Sequence, residues 1–492
     1  MRGCSWLGRH GRWGAFALGL AVGLGAGQAR AADAAVLEGQ LHDWLAALLG
    51  PHVALGVRPV QVTAQDGRFV LVMPVTGPLG ASGVTLDGPA ATATAHPLGD
   101  GRWAVDDVKL PSPLRIAVPT PQGPGHWTVT VQDQDQHAVI DPTLATTSTW
   151  DGQIGGYSVQ YQGPRGERHS EAAHIVTHVT WQPAADGRVD VAETASSDLL
   201  SSNARMRRTG LVSFSAAHST FEAHADALAP DRVAPLLHAL LDLASPAIAG
   251  ATDAAAPKPR LTPEARAALV ALLETASGLL DGFRETLKMQ DVHISGPMGN
   301  AAFQSIESGT SVAAPEGRLR LRLRLALDGL TSEALSQGPL AAYLPRHIAF
   351  APELSGVQAD RVAALLKRAV ASDGRDPALA SDAEAIMRDG PLAIGLRTLA
   401  ADFGPATFAA SGELRVLGRR AITGHAHVQM TGLTALIHDA QSVPMLQQAA
   451  PVLIFLKGIG DTEGTATVWD IAYVDDRLTV NGTDMSQMLP PH

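Results

Sequence analysis

Cysteine is almost missing from this 492-residue sequence: a single one occurs, Cys4, ahead of the first apolar stretch. The rest of the chain therefore has no thiol nucleophile, no thiolate metal site and no pair to form a disulfide. Aromatic residues are scarce too, at 4 %, which leaves few stacking platforms for bases. Positive charge is in deficit, with 37 Lys and Arg against 48 Asp and Glu. Four of those cations (Arg2, Arg9, Arg12 and Arg30) fall within residues 1–31, which hold no acid, so the remainder carries 33 against 48, a formal −15. Nucleic-acid affinity comes largely from cations meeting phosphates, so this balance argues against a nucleic-acid partner. Past residue 31 no apolar run approaches the ~20 residues of a helical membrane span.

The familiar signatures of catalysis are missing as well. There is no Gly-x-Ser-x-Gly elbow, no Ser-x-x-Lys pair, no His-Glu-x-x-His and no phosphate loop, and Gly458-Ile459-Gly460 lacks a dinucleotide-binding context. No cofactor or metal is expected, and a non-enzymatic role is favoured.

What is present begins with an export signal. Arg2, Arg9 and Arg12 precede a Gly-rich apolar segment, and Ala29-Arg30-Ala31 offers small residues at the positions a signal peptidase reads. Residues 1–31 are read as a cleavable signal peptide, and the periplasm as the destination. No transmembrane segment is expected after its removal.

The clearest local pattern is Arg318-Leu319-Arg320-Leu321-Arg322-Leu323-Arg324-Leu325-Ala326-Leu327-Asp328. A strand repeats its side-chain direction every two residues. Leu319, Leu321, Leu323, Leu325 and Leu327 therefore share one face, and Arg318, Arg320, Arg322 and Arg324 the other. The leucines are a candidate apolar-ligand surface. The arginines are a candidate contact for acidic groups, although the ordinary role of such a row is the solvated side of a sheet.

Elsewhere, residues 33–50 have helical spacing, and a long series of alternating segments separated by Gly, Asp and Pro follows from residue 53 to residue 225. Residues 230–243 read as a helix, and Thr262-Pro263-Glu264 opens another that is expected to run to about Met289. Three places repeat a strand, a short corner and a helix: residues 223–237, 354–366 and 427–438. The predicted fold is α+β, with long twisted antiparallel sheets in meanders and helices packed on one face or closing the ends. The predicted division is a mainly β N-terminal domain over 32–250 ending in a helix, a linker at 251–260, and an α+β C-terminal domain of strand-corner-helix units over 261–492.

Metal-ligand spacings are weak. His174 and His178 would suit an ion on a helix, but Ile175-Val176-Thr177 between them is strand-like and sets them roughly 13 Å apart. His425 and His427 share a strand face without a third ligand at fixed spacing. Asp133, Asp135 and Asp141 lack the glycine and closing glutamate of a calcium loop and are expected in a polar turn.

The Thr431-Gly432-Leu433 corner, within residues 424–436, and residues 478–482 with Asn481-Gly482 resemble a group of proteobacterial periplasmic proteins of unknown function, similar to AsmA-like and YdgA-like envelope proteins. The resemblance covers part of the C-terminal half and carries no catalytic residues. AsmA-like proteins usually keep an N-terminal membrane anchor, where this chain has the pattern of a cleavable signal. The expected role is that of an envelope protein holding a lipid or other apolar ligand in the groove of a curved sheet. The alternatives are a structural or assembly factor that binds another envelope protein, and a hydrolase with an unfamiliar site.

Overall fold

The computed structural model describes residues 34–39, 41–42, 60–78, 83–98, 101–119, 123–141, 146–164, 166–206, 210–243, 262–297, 299–336, 341–418, 421–442 and 447–488. The expected signal (1–31), the linker (251–260) and the second half of the first helix lie outside them. Strand makes up 58 % of the described residues, in antiparallel sheet accompanied by helices, the α+β arrangement expected. The chain divides into two compact units: residues 1–164, 171–196 and 226–268 form one, and residues 165–170, 197–225 and 269–492 the other.

In the first unit, strands β1 (Gln61–Gln65) and β2 (Arg68–Met73) form a hairpin across Asp66-Gly67. Both turn residues have positive φ, 50° and 80°, the geometry a two-residue hairpin requires. Strands β3 (Ala91–Pro97) and β4 (Trp103–Lys109) extend the sheet. Alternation buries one face: Phe69, Leu71, Ala93, Ala95, Trp103 and Val105 are buried, with the Phe69 and Trp103 rings 5.6 Å apart. Strands β5 (Leu114–Val118), β6 (Gly125–Asp141) and β7 (Thr146–Gly163) follow, and β6 pairs with β7 from His126 to Asp141. Asp133, Asp135 and Asp141 thus lie inside one long strand, not in a turn. The expected turn is replaced by a local kink, with Asp133 at φ 49°. Strand β8 (Gly166–Pro183) carries His174 and His178 and pairs with β9 (Val189–Ser197).

The second unit opens with β10 (Leu199–Met206) and β11 (Gly210–Ala216). Strand His218–Leu228 leaves this unit at Asp226 and leads through a short turn into helix α1 (Val233–Leu243), which belongs to the first unit, as do residues up to 268. Helix α2 (Pro263–Ala276) begins with Thr262, whose hydroxyl accepts a hydrogen bond from the Ala265 N–H at 3.3 Å. It ends thirteen residues short of the expected Met289. Gly278 at φ +72° takes the left-handed conformation that stops a helix. The apolar Phe283 and Leu287, which look helical at a spacing of four, share one strand face instead, because four is also a multiple of two.

From there the unit is a meander: β12 (Gly282–Gly296), β13 (Gly299–Ala313), β14 (Arg318–Asp328), β15 (His347–Gln358), β16 (Leu392–Asp402), β17 (Thr407–Val416), β18 (Ile422–Thr431), β19 (Ala466–Val474) and β20 (Arg477–Val480). Each pairs antiparallel with the next. Two connections contain helix pairs. Helices α3 (Ala359–Ala371) and α4 (Leu379–Asp389) stand between β15 and β16, and α5 (Leu433–Ser442) and α6 (Ala450–Ile459) between β18 and β19. Each exit from a strand carries a glycine with positive φ, Gly356 (+101°) or Gly432 (+69°). A Cβ on either would collide with the carbonyl oxygen of Pro391 or Pro405. Helices α5 and α6 cover the C-terminal strands: Leu433, Trp469 and Val480 form a buried centre, packed by Val428, Ile437, Leu453, Leu456 and Ile471. The Trp469 indole N–H donates to the Leu456 carbonyl at 2.9 Å. The Tyr343 hydroxyl, just ahead of β15, donates to Asp439 on α5, and burial together with that carboxylate pushes its pKa up to about 12.

Candidate functional site

The predicted strand is present as β14, and its two faces are as unlike as the sequence implies. On one side, directly paired residues build a row across seven strands that is polar at every position but Gly395: Arg284, Ser311, Arg322, Glu353, Gly395, Glu413 and His425. On the other, Phe283, Val312, Leu321, Leu354, Ile394 and Leu414 form the matching apolar row. A second apolar row runs Leu325, Phe350 and Leu399.

The apolar face is only partly covered. Toward β19 and β20 it lies under α5 and α6. In its middle, Leu323, Leu325, Phe350, Ile394 and Leu414 are each between 37 and 46 % exposed. These five come from four adjacent strands, β14 to β17. Leu319, Leu321 and Leu327 are half-buried, so only two of the five leucines singled out in the sequence belong to the open strip. Phe350, Ile394 and Leu414 are its additional members, supplied by neighbouring strands whose register is not legible from β14 alone.

The polar face is organised around Glu353, which is 5 % exposed. Arg322 and Arg397 each donate from Nε to its Oε2 at 2.8 Å, and the Nε of Arg320 stands 3.6 Å from Oε1. The hydrogen bond from Arg397, and then that from Arg322, holds the Glu353 carboxyl below the usual carboxylate range against the opposing effect of burial. The other two arginines are engaged elsewhere: Arg318 donates to the Gly356 carbonyl at 2.9 Å, and Arg324 pairs with Glu307 at 3.3 Å. The row of four is therefore not one surface. Arg320 and Arg322 belong to the Glu353 cluster, and Arg318 and Arg324 do not.

Arg397 reaches Glu353 because of a bulge. The β15–β16 register slips between Ala351 and Pro352, and the β16–β17 register slips between Leu396 and Leu399. One extra residue on β16 resets the alternation, so Leu399 returns to the apolar face after Arg397 has been aimed at the polar one. The sequence holds a signal for this: the apolar spacing Ile394, Leu396, Leu399 changes from two to three.

Beside this cluster lies a cavity of about 310 Å³ whose lining includes Glu353, Ser355, Arg397, Ser411, His425 and His427. Gly395 stands between Glu353 and Glu413 in the row, so the floor there has no side chain. His427 makes a 2.7 Å contact from Nδ1 to Asp470, and Arg415 bonds to Glu413. In the first unit, His178 is bonded to Asp151 at 2.5 Å from an extended strand, and His137 bridges Asp106 (3.1 Å) and Asp135 (2.9 Å). Among the described residues no three His, Cys, Asp or Glu side chains could jointly hold a metal ion, and no helix is long and apolar enough to cross a membrane. No protein-family model, curated protein or solved structure matches the chain.

Proposed function

We propose that the protein is a periplasmic, non-enzymatic component of the cell envelope that holds the acyl chain of a lipid on the open strip of its second unit. The observation that carries this reading is the exposure of Leu323, Leu325, Phe350, Ile394 and Leu414 on one face of four adjacent strands. Exposed apolar side chains gathered on one sheet face mark a surface that meets a ligand or partner. They fall in two paired sets, Leu325–Phe350 and Ile394–Leu414, connected along the face by Leu323 and the half-buried Leu321 and Leu354, and the four strands span three inter-strand spacings, about 14 Å, within reach of an extended acyl segment. Completing the burial of these side chains would contribute about 3–6 kcal/mol, and each buried methylene of the ligand about 0.8 kcal/mol more. The resemblance of residues 424–436 and 478–482 to envelope proteins, and the signal pattern in residues 1–31, support the compartment.

The experiment is native mass spectrometry and solvent extraction of protein purified from periplasm, followed by titration with a fluorescent fatty acid. Stoichiometric co-purified lipid, and binding that falls at least about tenfold in Leu323→Asp and Phe350→Asp, are expected from burying a charge beneath the chain. No lipid in the extract and no difference between those variants and wild type would sink the reading.

A further inference from the structure

We infer that helix α6 docks the protein on a bilayer of zwitterionic lipid, lying flat at the boundary between headgroups and acyl chains. The helix has one charged residue, Lys457, and is otherwise made of apolar residues and glycine. Its inner side packs Leu453, Leu456 and Ile459 on the core around Trp469. A helix seated on a core in this way ordinarily turns polar residues to water. Here the outward side is apolar as well: Val452, Ile454 and Phe455 are 58, 48 and 42 % exposed, and Pro451 and Gly458 are exposed with them. At 3.6 residues per turn these five cover about 160° of the circumference, with no hydrogen-bonding side chain among them. Pro451 stands at the start of the helix, where its missing N–H costs nothing. Helices that are apolar on every side are buried helices, and an apolar ridge of this kind marks a surface that meets something.

Area and chemistry single out a bilayer as the occupant. The outward side chains offer roughly 300 Å² of apolar surface, against about 800 Å² per partner in a stable complex, so a second copy or another protein seated on α6 falls well short. Protein interfaces also carry about one hydrogen bond per 100–200 Å², and this arc has no side chain to supply one. Insertion at a bilayer surface has neither requirement. Its strength scales with the apolar area buried, and acyl chains ask for no hydrogen bond. The polar groups are placed to suit. Gln447 and Gln448 precede the helix, Asp461 and Glu463 follow it in the short strand Asp461–Glu463, and all four are exposed. The helix between them is about 15 Å long, so both of its ends reach headgroups when the arc is immersed. The charges also choose the lipid. Lys457 is turned to α5, where its Nζ donates to the Thr434 hydroxyl at 2.8 Å, and the two acids past the helix end repel an anionic surface. This docking goes beyond the acyl-chain reading and does not depend on it.

The test is co-sedimentation of the full chain at neutral pH with phosphatidylcholine vesicles, and with vesicles that also contain phosphatidylglycerol. Reversible pelleting is expected, half-complete at roughly 0.1–1 mM lipid, the strength of a single acyl anchor. It should be insensitive to salt and no stronger on the anionic vesicles. Val452→Asp and Phe455→Asp should each weaken it at least about tenfold, because a carboxylate must then be carried to the acyl boundary. Leu366→Asp, which removes a leucine 48 % exposed on α3, should pellet as wild type does. Phe455→Trp should pellet normally and add a blue-shifted emission, above that of the native tryptophans, which chain-brominated lipid quenches. That signal follows the helix itself, and circular dichroism identifies any Asp variant that has lost its fold. Leu323→Asp, which removes acyl-chain binding, should leave pelleting unchanged, so the two readings fail separately. No pelleting on either vesicle, pelleting on anionic vesicles alone, or equal pelleting by wild type, Val452→Asp and Phe455→Asp would overturn the inference. So would a lipid-free dimer in sedimentation velocity that Phe455→Asp dissolves, or a protein captured in periplasm by a photocrosslinker at position 452 while vesicles capture nothing.

Discussion

A nearly buried carboxylate persists in a sheet only when its charge is compensated. Glu353 is compensated by more than one arginine, so it stabilises the fold as well as shaping the cavity. Glu353→Gln is expected to lower stability by about 1–3 kcal/mol, the range for hydrogen bonds to charged groups, with its arginine partners half in solvent. The pH dependence follows from the direction of its shift. A carboxyl whose folded pKa is depressed contributes fully above its unfolded value of about 4.3 and loses that contribution as pH falls through the folded one. Urea midpoints should therefore show a gap between wild type and Glu353→Gln that is complete at pH 7 and narrows below about pH 4.3. His137 carries the opposite sign. Its hydrogen bond to Asp106 raises its pKa, with Asp135 adding to the effect. Its contribution is present below the unfolded value of about 6.5 and is lost as pH rises through the folded one. In an NMR titration, Asp106→Asn should move the His137 midpoint downward.

At the scale of elements, the glycines that end β15 and β18 admit no side chain. Gly432→Ala combines a left-handed backbone with a collision against the Pro405 carbonyl and should cost about 1–3 kcal/mol or more in chemical denaturation. Gly464→Ala, at φ +61° with nothing within 4 Å, carries only the conformational part, about 1 kcal/mol. The strands themselves were the most legible elements. Period-two alternation identifies β14 and its two faces, and Asp475-Asp476, both at positive φ, form the two-residue turn that joins β19 to β20. Helix α2 was overextended because Phe283 and Leu287 satisfy both periods. The candidate site was legible only in half. Arg320 and Arg322 stood out as part of a row, but Glu353 and Arg397 reach them through strand pairing and a bulge. A period can be read along one strand; which residue it meets across the sheet depends on register set by many turns.

For the molecule as a whole, an acidic chain that leaves an apolar strip in solvent depends on its charge to stay dispersed. The formal charge is −11 at pH 7 and the isoelectric pH is about 5.9. Light scattering of the full chain should show self-association rising as pH is lowered from 7.5 toward 5.9, and Phe350→Asp should suppress it. A rise that the substitution leaves unchanged would place the association elsewhere. The meander from β12 to β20 also has a kinetic consequence. Every strand in it pairs with the next in sequence, so most contacts close over short distances, the condition for rapid folding. The two helical pairs interrupt this only mildly, since loop-closure entropy grows with the logarithm of length and a connection of this size adds roughly 2–3 kcal/mol over a tight turn. A chain delivered N-terminus first therefore presents each strand to a partner that has already arrived, and the sheet can grow in the order in which it emerges.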